Sequence, residues 1–190
     1  MLLPFFYNGL VDDPANDLVT RTSAIYLVGL MGVGKSTVGA RLAQRLGRIF
    51  IDTDQEVERK ANRTIAEIFE ADGEARFREL EAEAIRAAEM DGAVIALGGG
   101  AVAEPGAIER LLESGEVIFL SADPAVLIRR IGDPESRPKL AGLDRAAQIE
   151  TLAALLEERL PFYRKAGREI DADGDVNEVV DRILDELSIG

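Results

Sequence analysis

The sequence has neither cysteine nor histidine among its 190 residues. The first absence excludes disulfide staples and thiolate chemistry. The second removes the commonest general base and the commonest metal ligand. Catalysis, if any, falls to carboxylates, Lys, Arg, hydroxyls or a bound metal ion. Positive charge is scarce too: 22 basic residues against 35 acidic ones leave a net charge of −13. A nucleic-acid surface is therefore not expected, since phosphate backbones are bound by a basic face. A nucleotide stays open, because it needs only a few local cations and backbone donors. No apolar run reaches membrane-spanning length. The apolar start is broken by Pro4 and Asn8 and has no basic residue before Arg21, so no secretory signal and no membrane partner are expected. The expectation is a cytoplasmic protein, 47% hydrophobic and 30% charged, with the make-up of a soluble globular domain.

Residues 1–22 show no periodicity and read as an N-terminal extension; one domain is expected over 23–190. Apolar runs over 24–28, 49–51, 93–97 and 117–120 read as strands, with a weaker fifth over 168–170. Helical spacing covers 35–46, with Val38, Leu42 and Leu46 on one face, and later 74–90 and 176–187. Thr64 and Glu67 have the spacing of a capping box, which opens a short helix. Pro105 suits the first turn of a helix to about 113, and Asp123-Pro124 reads as cap and first position of a helix to about 131. Residues 132–143 are polar, carry two prolines and read as a mobile loop; Asp144 then caps a long helix that Pro161 should end or kink. Strands alternating with helices predict an α/β fold with a five-stranded parallel sheet covered on both faces, whose strand ends collect ligands.

One motif carries chemistry on its own. Gly29-Leu30-Met31-Gly32-Val33-Gly34-Lys35-Ser36-Thr37 has Gly29, Gly34, Lys35 and Ser36 at the positions of a phosphate-binding loop, between a buried-strand pattern and a helix. Glycines let the backbone wrap the phosphates with N–H groups inward, and the helix start adds a positive dipole end. Lys35 then reaches the β- and γ-phosphates, and the Ser36 hydroxyl can ligate Mg²⁺. No Asn-Lys-x-Asp element for guanine occurs, and the length leaves no room for a motor's second domain. The third strand ends in glycine, where many such proteins carry a metal-positioning aspartate, so Asp52 is the candidate carboxylate near magnesium.

Six stretches in register make the resemblance specific: Gly29 to Thr37, Asp52-Thr53-Asp54, Gly73-Glu74 with Phe77-Arg78 and Glu81, Gly98-Gly99-Gly100, Arg137-Pro138, and Arg159 with Pro161 and Tyr163. Over about residues 24–189 the chain resembles the shikimate kinases. The resemblance implies a P-loop three-layer α/β/α fold, nucleoside-monophosphate-kinase-like, with an acceptor-binding helical segment at about 54–82 and a mobile lid at about 132–143. It implies transfer of the γ-phosphate of ATP to shikimate, with Mg²⁺, on the route to chorismate and the aromatic amino acids, and a monomer is expected. Gly32, Val33, Gly34, Lys35, Ser36 and Thr37 would hold ATP, with Arg130 along the adenine and Arg137 closing over the transferred group. Asp54 would bind the acceptor's hydroxyls and take the proton, while Asp52 and Ser36 hold magnesium. Arg78 and Arg159 would grip the acceptor's carboxylate beside Gly98, Gly99 and Gly100, whose bare N–H groups could approach the acceptor ring or the γ-phosphate; the other reading of these glycines is a plain flexible turn.

Other readings of the same residues stand beside these. Asp54 is also placed to cap a helix, Arg130 to end one, and Arg78 to pair with Glu74 or Glu81 at helical spacing. Arg159 continues a stripe of Leu152, Leu156 and Tyr163, so a cation sits on an apolar face and calls for an anionic partner. Lys139 stands where the resemblance leads one to expect an apolar residue, so the lid is expected to close differently or to tolerate a bulkier acceptor. Residues 171–176 look short beside the family's adenine-binding stretch. The rival readings are a kinase for another small polyol acid such as gluconate, and a non-catalytic nucleotide-dependent regulator.

Overall fold

The computed structural model describes residues 23–90, 92–103 and 106–188. The expected extension over 1–22 and the reading of Pro105 lie outside the described residues. Strand β1 (Ala24–Val28) is buried at every position, because it pairs with β3 (Val94–Ala96) on one side and β4 (Gly115–Ser121) on the other. β2 (Phe50–Asp52) joins beside β3 and β5 (Arg168–Asp171) beside β4, giving the order β2-β3-β1-β4-β5 with every pair parallel. A sheet covered on both faces needs apolar residues at successive positions, hence the continuous runs in the sequence.

Alternate residues of β1 feed two cores. Ile25 and Leu27 pack with α1 (Lys35–Leu46), α5 (Pro124–Arg130) and α7 (Val176–Ser188); Tyr26 and Val28 pack with α4 (Ala107–Ser114). Helix α6 (Arg145–Tyr163) gives Leu152 to the first core and Tyr163 to the second. The helix after β1 therefore covers one face and the helix after β3 the other. The chain diverges at the C-terminal ends of β1 and β3, the crevice where ligands bind in such sheets. A third cluster of Val57, Ile68, Phe77 and Leu80 fastens α2 (Thr53–Ala61) to α3 (Ile65–Ala88).

Several boundaries differ from the sequence reading for identifiable reasons. β2 starts at Phe50, since Ile49 is 60% exposed. β4 starts two residues before the apolar run, because Gly115 and Glu116 pair with Ala24 and Ile25. The short and long helices expected on either side of Gly73 form one element, kinked there at φ 82 and ψ 172. The capping box at its start is made, with Thr64 N donating to Glu67 Oε2 at 2.7 Å and Glu67 N to Thr64 Oγ1 at 3.2 Å. Pro161 does not end α6, which continues to Tyr163. It lies in the last turn, where its missing N–H costs one bond, and Arg164 N closes the helix onto Leu160 O at 2.9 Å. The loop over 132–143 contains a 3-10 turn, Pro134–Ser136, and buries Leu140 completely in the first core.

Candidate active site

The turn after β1 is shaped by glycine. Gly32 has φ 81, and a Cβ there would stand 2.8 Å from both Leu127 O and Ile131 Cγ1. Gly34, at φ 100, is the N-cap of α1 in the left-handed conformation, so the helix starts with no capping side chain over its first amides. Lys35 curls back over the loop, its Nζ donating to Gly29 O at 2.8 Å and Leu30 O at 3.2 Å. Burial pushes its ammonium down to about 8, against the pull of Asp54 and Asp52. Val33 is less available than its place in the motif suggests: its side chain is in the core and its N–H is donated to Leu30 O at 3.3 Å.

Asp52 and Asp54 have different tasks. The cap of α2 is Asp52, not Asp54: Asp52 Oδ1 accepts from Asp54 N at 3.0 Å and Gln55 N at 3.3 Å. Its other oxygen accepts from the Ser36 hydroxyl at 2.5 Å. Two hard oxygens thus meet beside the phosphate loop. No cluster of three or more carboxylates that could cage a metal lies among the described residues. A strongly hydrated Mg²⁺, which binds one or two protein oxygens plus phosphates and water, fits this donor set, and Ser36 and Asp52 would hold it. Asp54 is spared the capping task. Its Oδ1 is buried without a hydrogen-bond partner, and burial raises its pKa while Lys35 opposes the rise. Thr53, between them, accepts from Gly98 N at 3.1 Å and donates to Ala96 O at 3.3 Å, locking the ends of β2 and β3 together.

Across from the loop, Arg78 makes both internal pairs its spacing allows, with Glu74 Oε1 at 3.0 Å and Glu81 Oε2 at 2.6 Å. It lines the same cavity as Asp54 nonetheless. Arg159 is 6% exposed; its Nη1 donates to Gly99 O at 2.9 Å, and its Nε is buried without a partner. No carboxylate among the described residues forms an ion pair with it. Tyr163 donates to the same carbonyl at 2.6 Å, and burial pushes its phenol up to about 12, so it remains a donor. Glu81 is buried as well, with Oε1 unpartnered and its carboxyl pKa raised by burial against the pull of Arg78.

Gly98 and Gly100 matter through space rather than backbone angle, whereas a Cβ on Gly99 would meet only ordinary contacts, the nearest Met31 N at 3.4 Å. A Cβ on Gly98 would stand 2.6 Å from Asp54 Oδ1, and one on Gly100 would stand 2.5 Å from Arg78 Nη1. The expectation that all three offer free N–H groups needs correction, because Gly98 N–H is already given to Thr53.

Two adjoining cavities result. One of about 140 Å³ is lined by Gly32, Gly34, Lys35, Ser36, Thr37, Asp52 and Asp54. The other, about 80 Å³, is lined by Asp54, Phe69, Phe77, Arg78, Glu81 and Arg159. Met31, Asp54, Gly99 and Arg137 belong to both. Arg130 lies on neither: it donates to Ala172 O at 2.8 Å and Gly174 O at 3.3 Å, tying α5 to the turn after β5. It is thus more than a solvated helix end.

A family model for shikimate kinase matches residues 31–188. The chain belongs to the shikimate kinase family. A shikimate kinase of Caldanaerobacter subterraneus subsp. tengcongensis is 45% identical over 162 residues, covering 84% of this chain and 93% of that relative. One of Mycobacterium ulcerans is 49% identical over 140 residues, covering 73% and 74%. Among solved structures, the shikimate kinase from Acinetobacter baumannii in complex with shikimate superposes with a TM-score of 0.83 at 34% identity, over 90% of this chain and 96% of that one. A gluconokinase from Sinorhizobium meliloti, at 19% identity and a TM-score of 0.53, shares the fold alone. Like its relatives, this shikimate kinase family member is a phosphoryl-transfer enzyme. No helix among its described residues is long and apolar enough to cross a membrane.

Sequence reasoning left out several cavity residues. Glu81, three positions beyond Arg78, was read only as its helix partner and as part of the resemblance; Thr53, which lines neither cavity, was hidden between two aspartates. Phe69 and Phe77, with ring centroids 4.9 Å apart, form an apolar wall. Their helical spacing reads equally well as ordinary core, so nothing in the sequence separates the two.

Proposed function

We propose that the enzyme transfers the γ-phosphate of ATP to the 3-hydroxyl of shikimate, giving shikimate 3-phosphate and ADP. The observation that carries this reading is Arg159: a buried guanidinium with an unpartnered Nε and no ion pair among the described residues, facing a cavity that also holds Arg78 and Asp54. Glu81, the buried carboxylate of the same cavity, feels Arg159 but is ion-paired with Arg78, so among the described residues Arg159 lacks a direct anionic partner and calls for an external one; two guanidinium groups suit a planar carboxylate.

In this reading the small alicyclic acid lies between Phe77 and the Gly99-Gly100 turn, its carboxylate toward Arg78 and Arg159. Asp54 orients the attacking hydroxyl and takes its proton as the new O–P bond forms and the bond from the γ-phosphorus to the bridging oxygen breaks. The raised pKa of Asp54 suits it to this transfer. Lys35 and Arg137 flank the moving phosphoryl group, while Gly32, Gly34 and Thr37 surround the other phosphates. Bound magnesium would neutralise phosphate charge beside Ser36 and Asp52. Arg130 takes the adenine side, and the segment 132–143 acts as the lid that excludes water.

An acceptor panel tests the assignment: ADP release is measured with shikimate, with gluconate and with no acceptor. Shikimate should give the largest kcat/KM. A higher value for gluconate would overturn the substrate, and ATP binding without acceptor-dependent turnover would favour a regulator.

A further inference from the structure

Glu74 is the first residue beyond the Gly73 kink in α3, and its two carboxylate oxygens are taken by different parts of the chain. Oε1 accepts from Arg78 Nη2 at 3.0 Å, one helical turn further on. Oε2 accepts from Lys139 Nζ at 2.9 Å, 65 residues away. Among the described residues this is the one ion pair joining segment 132–143 to α3. The segment is seated at two adjacent points: Leu140 is wholly buried against the first core, and Lys139 reaches the opposite way. Arg137, two residues earlier, stands where the two cavities meet. Lys139 and Arg78 both line the acceptor cavity, so one carboxylate holds a residue of the proposed lid and a residue of the proposed carboxylate clamp.

We propose that Glu74 is a positioning residue that links the lid to the acceptor clamp, and that Lys139 is the side chain through which this enzyme's lid makes that link. The inference rests on the assignment of the second cavity to the acceptor. The Lys139–Glu74 pair seats the lid over the acceptor and, through the shared carboxylate, sets the aim of Arg78. Its effect belongs to acceptor binding and not to the chemical step. Both partners are half exposed, with side-chain exposures of 42% and 45%, so the effect is modest and screened by salt.

The test compares steady-state kinetics of wild type, Lys139→Met, Lys139→Arg and Glu74→Gln with shikimate and MgATP, at about 0.05 and 0.5 M salt. Lys139→Met should raise KM for shikimate by about two- to fivefold, the range of a half-exposed ion pair, with kcat and the KM for ATP unchanged. Lys139→Arg should restore the wild-type KM, and high salt should shrink the gap between wild type and Lys139→Met. Glu74→Gln should give a larger rise, since it loosens Arg78 as well. Three results would overturn the link: an unchanged KM for shikimate in Lys139→Met, a Lys139→Arg variant as impaired as Lys139→Met, or equal rises in both KM values. A wild-type enzyme inactive on shikimate would sink the acceptor assignment itself, a separate outcome visible before any variant is made.

Discussion

The two halves of the cleft are built on different terms. On the phosphate side the polar side chains are satisfied within the protein: Lys35 rests on two carbonyls of its own loop, and Ser36 is bonded to Asp52, which in turn caps α2. On the acceptor side they are not, and Asp54 Oδ1, Glu81 Oε1 and Arg159 Nε are all buried without partners. Unsatisfied buried polar atoms destabilise a fold, by about 1–3 kcal/mol each. Three of them around one small cavity mark where a ligand is needed to complete the hydrogen bonding. What stays open on the phosphate side is backbone, the first amides of α1 that no side chain caps; on the side of Arg78 and Arg159 it is buried side-chain atoms.

The sharpest way to separate the halves is Asp54→Asn, which keeps the shape and removes the proposed base. Turnover should fall by about 10²- to 10⁴-fold, the usual contribution of a positioned base, while ATP affinity measured by calorimetry stays within twofold of wild type. Full turnover in this variant would place the proton elsewhere. Arg159→Leu should act on the acceptor half alone, raising KM for shikimate by about 30-fold or more, as for the loss of one member of a buried charged contact. The same variant should melt no lower than wild type without ligand, because a buried unpaired cation is gone. A large drop in unliganded melting temperature would mean that Arg159 serves the fold before the substrate.

The smallest expected effect is on the phosphate half and is read from pH. Burial lowers the Lys35 ammonium to about 8 in the free enzyme, so its charged form dominates below that value and is lost above it. The kcat/KM for ATP, which reports the free enzyme, should therefore decline as pH rises through about 8. Under saturating ATP the bound phosphates hold the ammonium charged, and kcat should decline only at higher pH. A kcat/KM profile flat up to pH ~10, near the ordinary lysine value, would show that Lys35 is not perturbed in this way.

Much of this was legible without coordinates where physics is local. The phosphate loop is a run of consecutive residues whose glycines, lysine and hydroxyl act through their own backbone. Asp123 and Asp144 cap the helices that follow them, as their spacing said. Asp54 was harder: the sequence offered it as the residue that caps α2, while Asp52, two residues earlier, was read only as a carboxylate near magnesium. Which one does depends on where β2 ends against β3, and the cap proves to be Asp52. Arg78 was undecidable by spacing, since the helix pairs with Glu74 and Glu81 and a role in the cavity are compatible, and the structure contains all of them.

By itself the sequence determined the alternation of strands and helices, the anion-binding turn and the inventory of charges, because these follow from neighbours along the chain. Only the tertiary structure decided which charges remain unpaired. Arg159, Glu81, Asp54 and Lys139 come from three helices and a loop, and whether each finds a partner depends on through-space distances that no local pattern encodes.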